Sequence, residues 1–444
     1  MAGPFAGTLI PTSSRLAVVT RSPATGRVVA STVGGGAAAE LKHAGYDGVV
    51  IGGRAPAPVF LYVTDKRVTF ERAAALWGRG THETEMTIQE KKWTNRARVL
   101  SIGPAGENRI PFACITTDGY RQAGRGGAGA VMGSKNLKAI AIKGEAGVRV
   151  PDMAALISYL WELRNSDVLS ECNLWARREG TPHLLRAAWR AGLLPARGRR
   201  ERDDELDAIN AAVVSSRLKR ARACVSCPLA CGRFTVAEDE TAVEGPEYGT
   251  IVALGWCCGI SSLDSLIRLN RLCDDLGLDT VATGSVLALA MESTGSGLRD
   301  FGIRFGEDER ALECARQIAH REGAFGDLTF GPEELPVWTR AGRMVQLLHA
   351  AVEQGHGHLH TPSGSEDLAL LAMRRGLANV ADSLPVCAFW PASADTLARL
   401  FALVTGWPIS PEELLEAGER IATLGESLGD AGRDDTTMRG GEAQ

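Results

Sequence analysis

Three cysteines fall in one short run, Cys224-Val-Ser-Cys227-Pro-Leu-Ala-Cys231, and they constrain the fold more than any other feature. A C-x2-C-x3-C spacing sets three thiolates on one tight turn. Such a turn can cap one face of a cubane iron–sulfur cluster only if a fourth ligand comes from elsewhere in the chain. Lys219, Arg220 and Arg222 precede the run and Arg233 follows it. These cations are expected to lower the thiolate pKa values and offset cluster charge, and Pro228 is expected to stiffen the turn. Two plainer readings stand beside this one. The trio could be buried small thiols, or ligands of structural zinc, although zinc sites usually pair two C-x2-C knuckles and no second knuckle exists. Among the remaining cysteines, Cys114, Cys172, Cys257, Cys258, Cys273 and Cys314 sit in apolar patterns and read as core. Cys387 is polar on one side and follows Pro385, but spacing alone does not select it.

The bulk numbers exclude several classes. The chain has 444 residues, enough for two to four domains, and a formal net charge of −4. That balance gives no electrostatic footprint for nucleic acid or an anionic membrane. No window approaches the ~20 apolar residues of a membrane span, and Met1–Pro11 lack the pattern of a secretory signal. A cytoplasmic location is therefore expected, where ten cysteines point to metal ligation or burial rather than disulfides.

Residues 1–145 read as β-rich. Arg15–Thr20, Gly48–Ile51, Val59–Val63, Arg98–Ile102 and Ala139–Ile142 are branched-aliphatic runs bounded by turn residues. From Pro151 helical periodicity takes over, in Asp152–Arg164, His183–Ala191, Ser262–Leu276, Asp308–Arg321, Ala341–Glu353, Ser393–Thr405 and Pro411–Leu428. The class expected is α+β: a β-rich domain over 1–145, helical domains over 151–330 and 331–430, and a flexible tail over 431–444. Residues 197–204 read as an exposed charged connector.

The densest signal is Asp118-Gly-Tyr-Arg121-Gln122-Ala-Gly124-Arg125-Gly126-Gly127-Ala-Gly129, continuing to Gly133 and Lys135. Glycines let backbone N–H groups approach an anion, and two arginines four apart can fork onto phosphate oxygens. Gly124-x-Gly126-x-x-Gly129 matches a dinucleotide fingerprint only formally, because the interval before the next apolar run is too short for a crossover helix. A phosphate-bearing cofactor is the reading preferred over a plain turn.

Several segments together resemble the aldehyde:ferredoxin oxidoreductase family. They are Gly3-Pro-Phe-Ala-Gly7-Thr8, Ser22-Pro-x-Thr-Gly26, Glu40-Leu-Lys-His-Ala-Gly45-Tyr-Asp47, and Val99-Leu-Ser-Ile-Gly-Pro-Ala-Gly-Glu-Asn108. The Arg121–Lys138 loop, Glu244-Gly-Pro-Glu-Tyr248, Gly418-Glu-Arg-Ile421 and Asp434-Asp435 complete the set. The resemblance implies an oxidoreductase that converts an aldehyde or related small organic substrate to a carboxylate at a tungsten or molybdenum bis-pyranopterin. Electrons would pass through a [4Fe–4S] cluster to ferredoxin or a similar carrier, with a homodimer or a partner subunit as further company. It further implies that Cys224, Cys227, Cys231 and Cys387 are the cluster ligands. Arg15 takes the place between pterin and cluster, and Thr32, Gly34, Arg121, Gln122, Gly124 and Arg125 the places contacting pterin or its phosphates. Of the family's two D-x-x-G-L-[CD] pterin motifs, Asp274-Asp-Leu-Gly277-Leu278-Asp279 is a full match. Asp382-Ser-Leu-Pro385-Val386-Cys387 replaces Gly-Leu by Pro-Val.

The departures concern chemistry more than cofactor binding. The family's N-terminal β segment has no counterpart before Met1, so a partner chain or an earlier start is expected to supply it. Thr32 stands for an asparagine, and Arg268 for a glutamate of an iron site that bridges subunits in some relatives. Gly249 stands where the family usually has a glutamate acting on substrate. The region between about Phe325 and Ala350 is shortened, losing a histidine and a lysine. Glu247, His356 and His358 are the remaining acid–base candidates, although the histidines, with His360, read equally as a solvated loop. The alternative function is a non-catalytic or electron-relay subunit that keeps the cluster and needs a partner chain.

Overall fold

The computed structural model describes residues 1–92, 97–164, 174–190, 192, 194, 203–326, 376–390 and 392–431. The predicted helix 341–353, Cys172, most of the connector at 197–204 and His356, His358 and His360 lie outside the described residues.

The first third is the sheet region. Strands β1 (Leu16–Arg21) and β2 (Val28–Val33) form an antiparallel hairpin. A six-stranded mixed sheet is built from β3 (Val59–Thr64), β4 (Val68–Arg72), β5 (Arg98–Ser101), β6 (Ile115–Thr117), β7 (Arg121–Ala123) and β8 (Leu137–Lys143). Its order is β4-β3-β8-β5-β6-β7, with β3 and β8 the parallel pair. The rest is mainly helical, so the α+β expectation holds, with one addition. β9 (Leu218–Arg222), β10 (Gly232–Val236) and β11 (Ala242–Glu244) make an antiparallel sheet in the order β11-β10-β9, and the cysteine run is the β9–β10 connection.

One expectation fails. Gly48–Ile51 is not a strand: it finds no ladder partner, and Val50 stands almost fully exposed. The glycine–arginine loop holds a seven-residue helix, Ala128–Ser134, entered through Gly127 in the left-handed region at φ 75°. It is a short turn packed on Pro111, where a Cβ on Gly127 would lie 2.1 Å from the carbonyl oxygen, and not a dinucleotide crossover.

Capping residues fix the helices around the site. Ser262 accepts from Ser265 N and starts Leu263–Leu276, and Ser393 accepts from Thr396 N and starts Ala394–Thr405. The former helix ends at Gly277, φ 73°, and Asp279 caps the next, Thr280–Ser296, by accepting from Val281 N at 3.1 Å. Matching element D-x-x-G-L-D to this corner explains its form: the glycine takes the left-handed turn and the last acid starts a new helix. Meanwhile Phe5 and Ile10 are fully buried against Leu156, Val380, Leu384 and Leu400. This packing ties the chain's start to its far end, and Cys387 N donates to Thr12 O at 3.1 Å.

Candidate active site

One cavity of about 870 Å³ collects the residues singled out from sequence. The β1–β2 hairpin gives Arg15 and Thr32, and β7 with the loop after it gives Arg121, Gln122, Gly124 and Arg125. The β9–β10 connection gives Cys224, Cys227 and Cys231, the helix corner gives Asp274, and Gly34, Glu247 and Cys387 complete the wall. Leu278, Val386 and Asp382 do not line it. Leu278 and Val386 are buried in hydrophobic clusters, and Asp382 is exposed to solvent.

The four sulfurs converge from both ends of the chain. Burial pushes up the thiols of Cys224, Cys227 (to about 11) and Cys231, and in each case neighbouring thiols, Cys387 among them, add to the rise. The cations that oppose this at Cys224 are Arg121 and Arg15, which corrects the expectation placed on the flanking basic run. Arg121 Nη1 donates to Cys224 Sγ at 3.2 Å, and Arg15 Nη1 to Cys387 Sγ at 3.6 Å. Arg222 instead pairs with Glu244 and lies over the Tyr120 ring, and Arg220 lies over Phe234. Arg233, fully buried, acts on the backbone. It donates to the carbonyls of Ala176, Arg177, Arg178, Ala230, Cys231 and Gly232, which fixes the cysteine loop. The remaining described cysteines, Cys114, Cys257, Cys258, Cys273 and Cys314, are buried, as a core reading requires.

Among the described residues no three His, Cys, Asp or Glu side chains close on a single metal ion.

The triplet Gly34-Gly35-Gly36 lets three side chains approach the backbone at once. A Cβ on Gly34 would lie 2.7 Å from Cys224 Sγ, on Gly35 2.2 Å from Asp118 Oδ2, and on Gly36 2.5 Å from Arg98 Nε. Asp118 in turn accepts from Gly36 N and from Arg98, which sets the β6–β7 turn leading to Arg121.

On the opposite wall Asp274 accepts from Gln122 Nε2 at 2.5 Å and Asn270 Nδ2 at 3.0 Å. Burial raises its pKa well above the usual carboxylate range, Arg271 pulling the other way. Arg15 donates to Thr32 Oγ1 through Nε at 3.1 Å and Nη2 at 2.5 Å. Arg121 is also bonded to Glu244. Burial works against the Arg121 charge, but Cys224 and Glu244 outweigh it and hold its pKa high.

Sequence reasoning missed Asn270, and it met Asp279, Glu244 and Tyr248 only as motif positions, without a role in the site. Among the described residues four buried polar atoms of the lining make no hydrogen bond within the protein: Thr12 Oγ1, Glu244 Oε2, which has only the ion-pair contact of Arg222 Nε at 3.3 Å, Tyr248 OH and Asp279 Oδ2. Arg125 Nε is 3.6 Å from that last oxygen. Groups that cost about 1–3 kcal/mol each when left unpaired mark a wall built to meet something polar. Glu247 accepts from Thr181 Oγ1, and burial pushes its pKa up. Gly249 is also in the wall, with Val281 Cγ2 3.3 Å from where its Cβ would be.

A β-rich first domain and a helical remainder thus share one cavity that gathers four thiols, five arginine or amide side chains and buried carboxylates. A family model described as aldehyde ferredoxin oxidoreductase, N-terminal domain, matches residues 1–144, and one for domains 2 and 3 of the same family matches 158–335 and 340–427. The chain belongs to the aldehyde ferredoxin oxidoreductase family. It is 35% identical to the tungsten-containing aldehyde ferredoxin oxidoreductase of Pyrococcus furiosus, across 95% of this chain and 77% of that one. With the Thermococcus kodakarensis enzyme of the same description it shares 34% identity over 94% of this chain and 77% of the relative. A WOR-like subunit of aliphatic sulfonate oxidoreductase from Pyrococcus furiosus is 29% identical over 70% of this chain and 53% of its own length. In fold, the active-site complex BamBC of benzoyl coenzyme A reductase superposes with a TM-score of 0.79 at 22% identity, covering 96% of this chain and 80% of that chain. Among the described residues no helix is long and apolar enough to cross a membrane.

Proposed function

We propose that this chain is a cytoplasmic redox enzyme acting on an aldehyde or related small organic substrate, with a [4Fe–4S] cluster held by Cys224, Cys227, Cys231 and Cys387. The observation that carries it is the convergence of those thiols with Arg15 and Arg121 on a cavity whose buried polar atoms lack partners. A tungsten or molybdenum bis-pyranopterin there would supply two-electron chemistry, and the cluster would relay electrons one at a time to ferredoxin or a similar carrier.

The residues present fit such groups. Arg121, Arg125, Gln122, Gly124 and Gly34 offer cationic and close-approach backbone contacts to phosphate-bearing pterin, and Asp274 and Asp279 offer carboxylate oxygens for ring N–H donors. Arg15, tied to Thr32, keeps a cation beside Cys387. Glu247, half-buried in the wall and held by Thr181, is the carboxyl available to hold or release a proton near the substrate.

Metal analysis after anaerobic purification tests this: about four irons and one tungsten or molybdenum per chain are expected. Iron without the heavy metal favours an electron-relay subunit, a reading that Gly249 supports because it removes an acid–base group worth ~10²–10⁴ in rate. Neither metal sinks both. The Gly249→Glu variant separates a disarmed enzyme from a relay: aldehyde turnover rises in the first and stays absent in the second.

A further inference from the structure

We infer that residues 174–184 are a strap that sets Cys387 against the other three thiols, with Trp175 as its positioning residue, an inference that rests on the cluster proposed above. The two cysteine segments belong to different parts of the molecule. Trp390 N donates to Cys387 O at 3.0 Å and closes a turn over 387–390. Val386 and Trp390, on either side of that turn, are buried with Leu397 and Leu400. Leu184 and Leu185, at the far end of the strap, are buried in another cluster, with Trp256 and Leu266. The strap joins these two bodies across the sulfurs.

On the side of the trio the contact is made by backbone. The buried Arg233 guanidinium bonds carbonyls of the strap at 176–178 and of the cysteine loop at 230–232, so one side chain holds both. Gly180, at φ 64°, permits the close approach: a Cβ there would lie 2.6 Å from Cys231 O. On the side of Cys387 the contact is aromatic. The rings of Trp175 and Phe389 meet edge to face, 5.4 Å apart at 82°, and His183 stacks on Trp175 at 6.0 Å. Phe389 belongs to the 387–390 turn and lines the cavity, so the ring that Trp175 holds cannot shift without Cys387. Such a pair is directional, which a plain apolar contact is not. Residues 8–12 bridge the same two segments elsewhere, Ser226 Oγ donating to Thr8 O at 2.9 Å and Cys387 N to Thr12 O. The strap also carries Thr181, which donates to Glu247 and accepts from Tyr248 N at 3.0 Å. Removing the Trp175 ring should therefore loosen Cys387 while the trio keeps its Arg233 clamp.

The test is Trp175→Ala, with Trp175→Phe as the conservative rescue. In anaerobically purified protein, iron release to a ferrous chelator should quicken about two- to tenfold in the alanine variant, the range that one edge-to-face pair supplies. The phenylalanine variant should return to the parental rate. Iodoacetamide labelling of protein freed of iron, mapped by mass spectrometry, should quicken at Cys387 by the same factor. The buried Cys273 and Cys314 should label as in the parent. A parental labelling rate at Cys387 in Trp175→Ala, or a rise that Cys273 and Cys314 share, overturns the strap. Should Trp175→Ala not fold, Phe389→Leu removes the same ring pair from the other side and decides on the same readouts. A parent that never holds iron ends the cluster reading alone, because the labelling still decides whether Trp175 positions Cys387.

Discussion

The motifs at 274–279 and 382–387 share a backbone and diverge in their side chains. In the first, Leu278 N donates to Cys273 O at 2.8 Å, and Asp279 N reaches Phe112 O at 3.2 Å in another segment. The second repeats this: Val386 N donates to Ala381 O at 2.8 Å, and Cys387 N reaches Thr12 O at 3.1 Å. Pro385 removes one turn bond that the first copy makes, Gly277 N to Asp274 O at 3.3 Å. The side chains go separate ways. Asp274 is 2% exposed and bonded on both oxygens, while Asp382 is solvent-exposed and outside the cavity. The turn geometry therefore survives the loss of its glycine, and what it delivers is the sixth residue: Asp279 to one wall, Cys387 to the thiols.

The largest effect expected from that contrast is at Cys387. The Cys387→Ser variant removes the fourth thiolate and should abolish the iron–sulfur absorbance of anaerobically purified protein. An unchanged visible spectrum refutes Cys387 as a ligand and with it the account of the second motif.

Next in size is Asp274→Ala. Gln122 and Asn270 would lose their acceptor in a buried wall, at a cost of about 1–3 kcal/mol in denaturant unfolding. On the proposed function the tungsten or molybdenum content falls as well, while iron stays. Loss of iron in equal proportion would show that the two halves of the site are not separable.

That separation was only partly legible in the sequence. The cysteine trio stands on spacing, and the capped helices from Ser262 and Ser393 stand on start signals and periodicity. Thr280–Ser296 was not recognised, because a helix buried on several sides carries no polar face to betray its period. Short strands such as Ile115–Thr117 and Arg121–Ala123 hold only three residues each, too few for alternation to register. Val49, Val50 and Ile51 show the converse error, since branched residues make a strand only where an edge accepts them. In the site, Asn270 gains its meaning from a cavity assembled out of separate segments, and Glu244 and Tyr248, legible as motif positions, gain their role only there. Asp382 differs from Asp274 in its surroundings: it is the more exposed of the two, with Arg15 as the cation near it.

A third prediction uses the helix Thr81–Lys91, which locks the first motif to the arginine strand. Thr81 Oγ1 donates to Asp274 O at 2.8 Å, and Glu85 accepts from Gly119 N at 2.7 Å, just before Arg121. Burial, helped by Asp118, pushes the Glu85 carboxyl from 4.5 up to about 7. With the folded value raised, its contribution to stability is complete below about pH 4.5 and lost as pH rises through 7. The Glu85→Gln variant should therefore flatten the fall in stability across that window and gain up to on the order of 3 kcal/mol relative to the parent at pH 8. Denaturant midpoints at several pH values measure it, and parallel curves for parent and variant refute it.

The smallest effect is expected at Asp382→Asn. An exposed side chain that does not line the cavity should change unfolding free energy by less than about 0.5 kcal/mol, and leave both iron and heavy metal at parental levels. The same change at Asp274 puts an amide against the amide donors of Gln122 and Asn270, so the pair of variants isolates what surrounds each acid from what its motif position suggests. If Asp382→Asn loses heavy metal as Asp274→Asn does, the exposed acid has a partner beyond the described residues, and the second motif is as complete as the first.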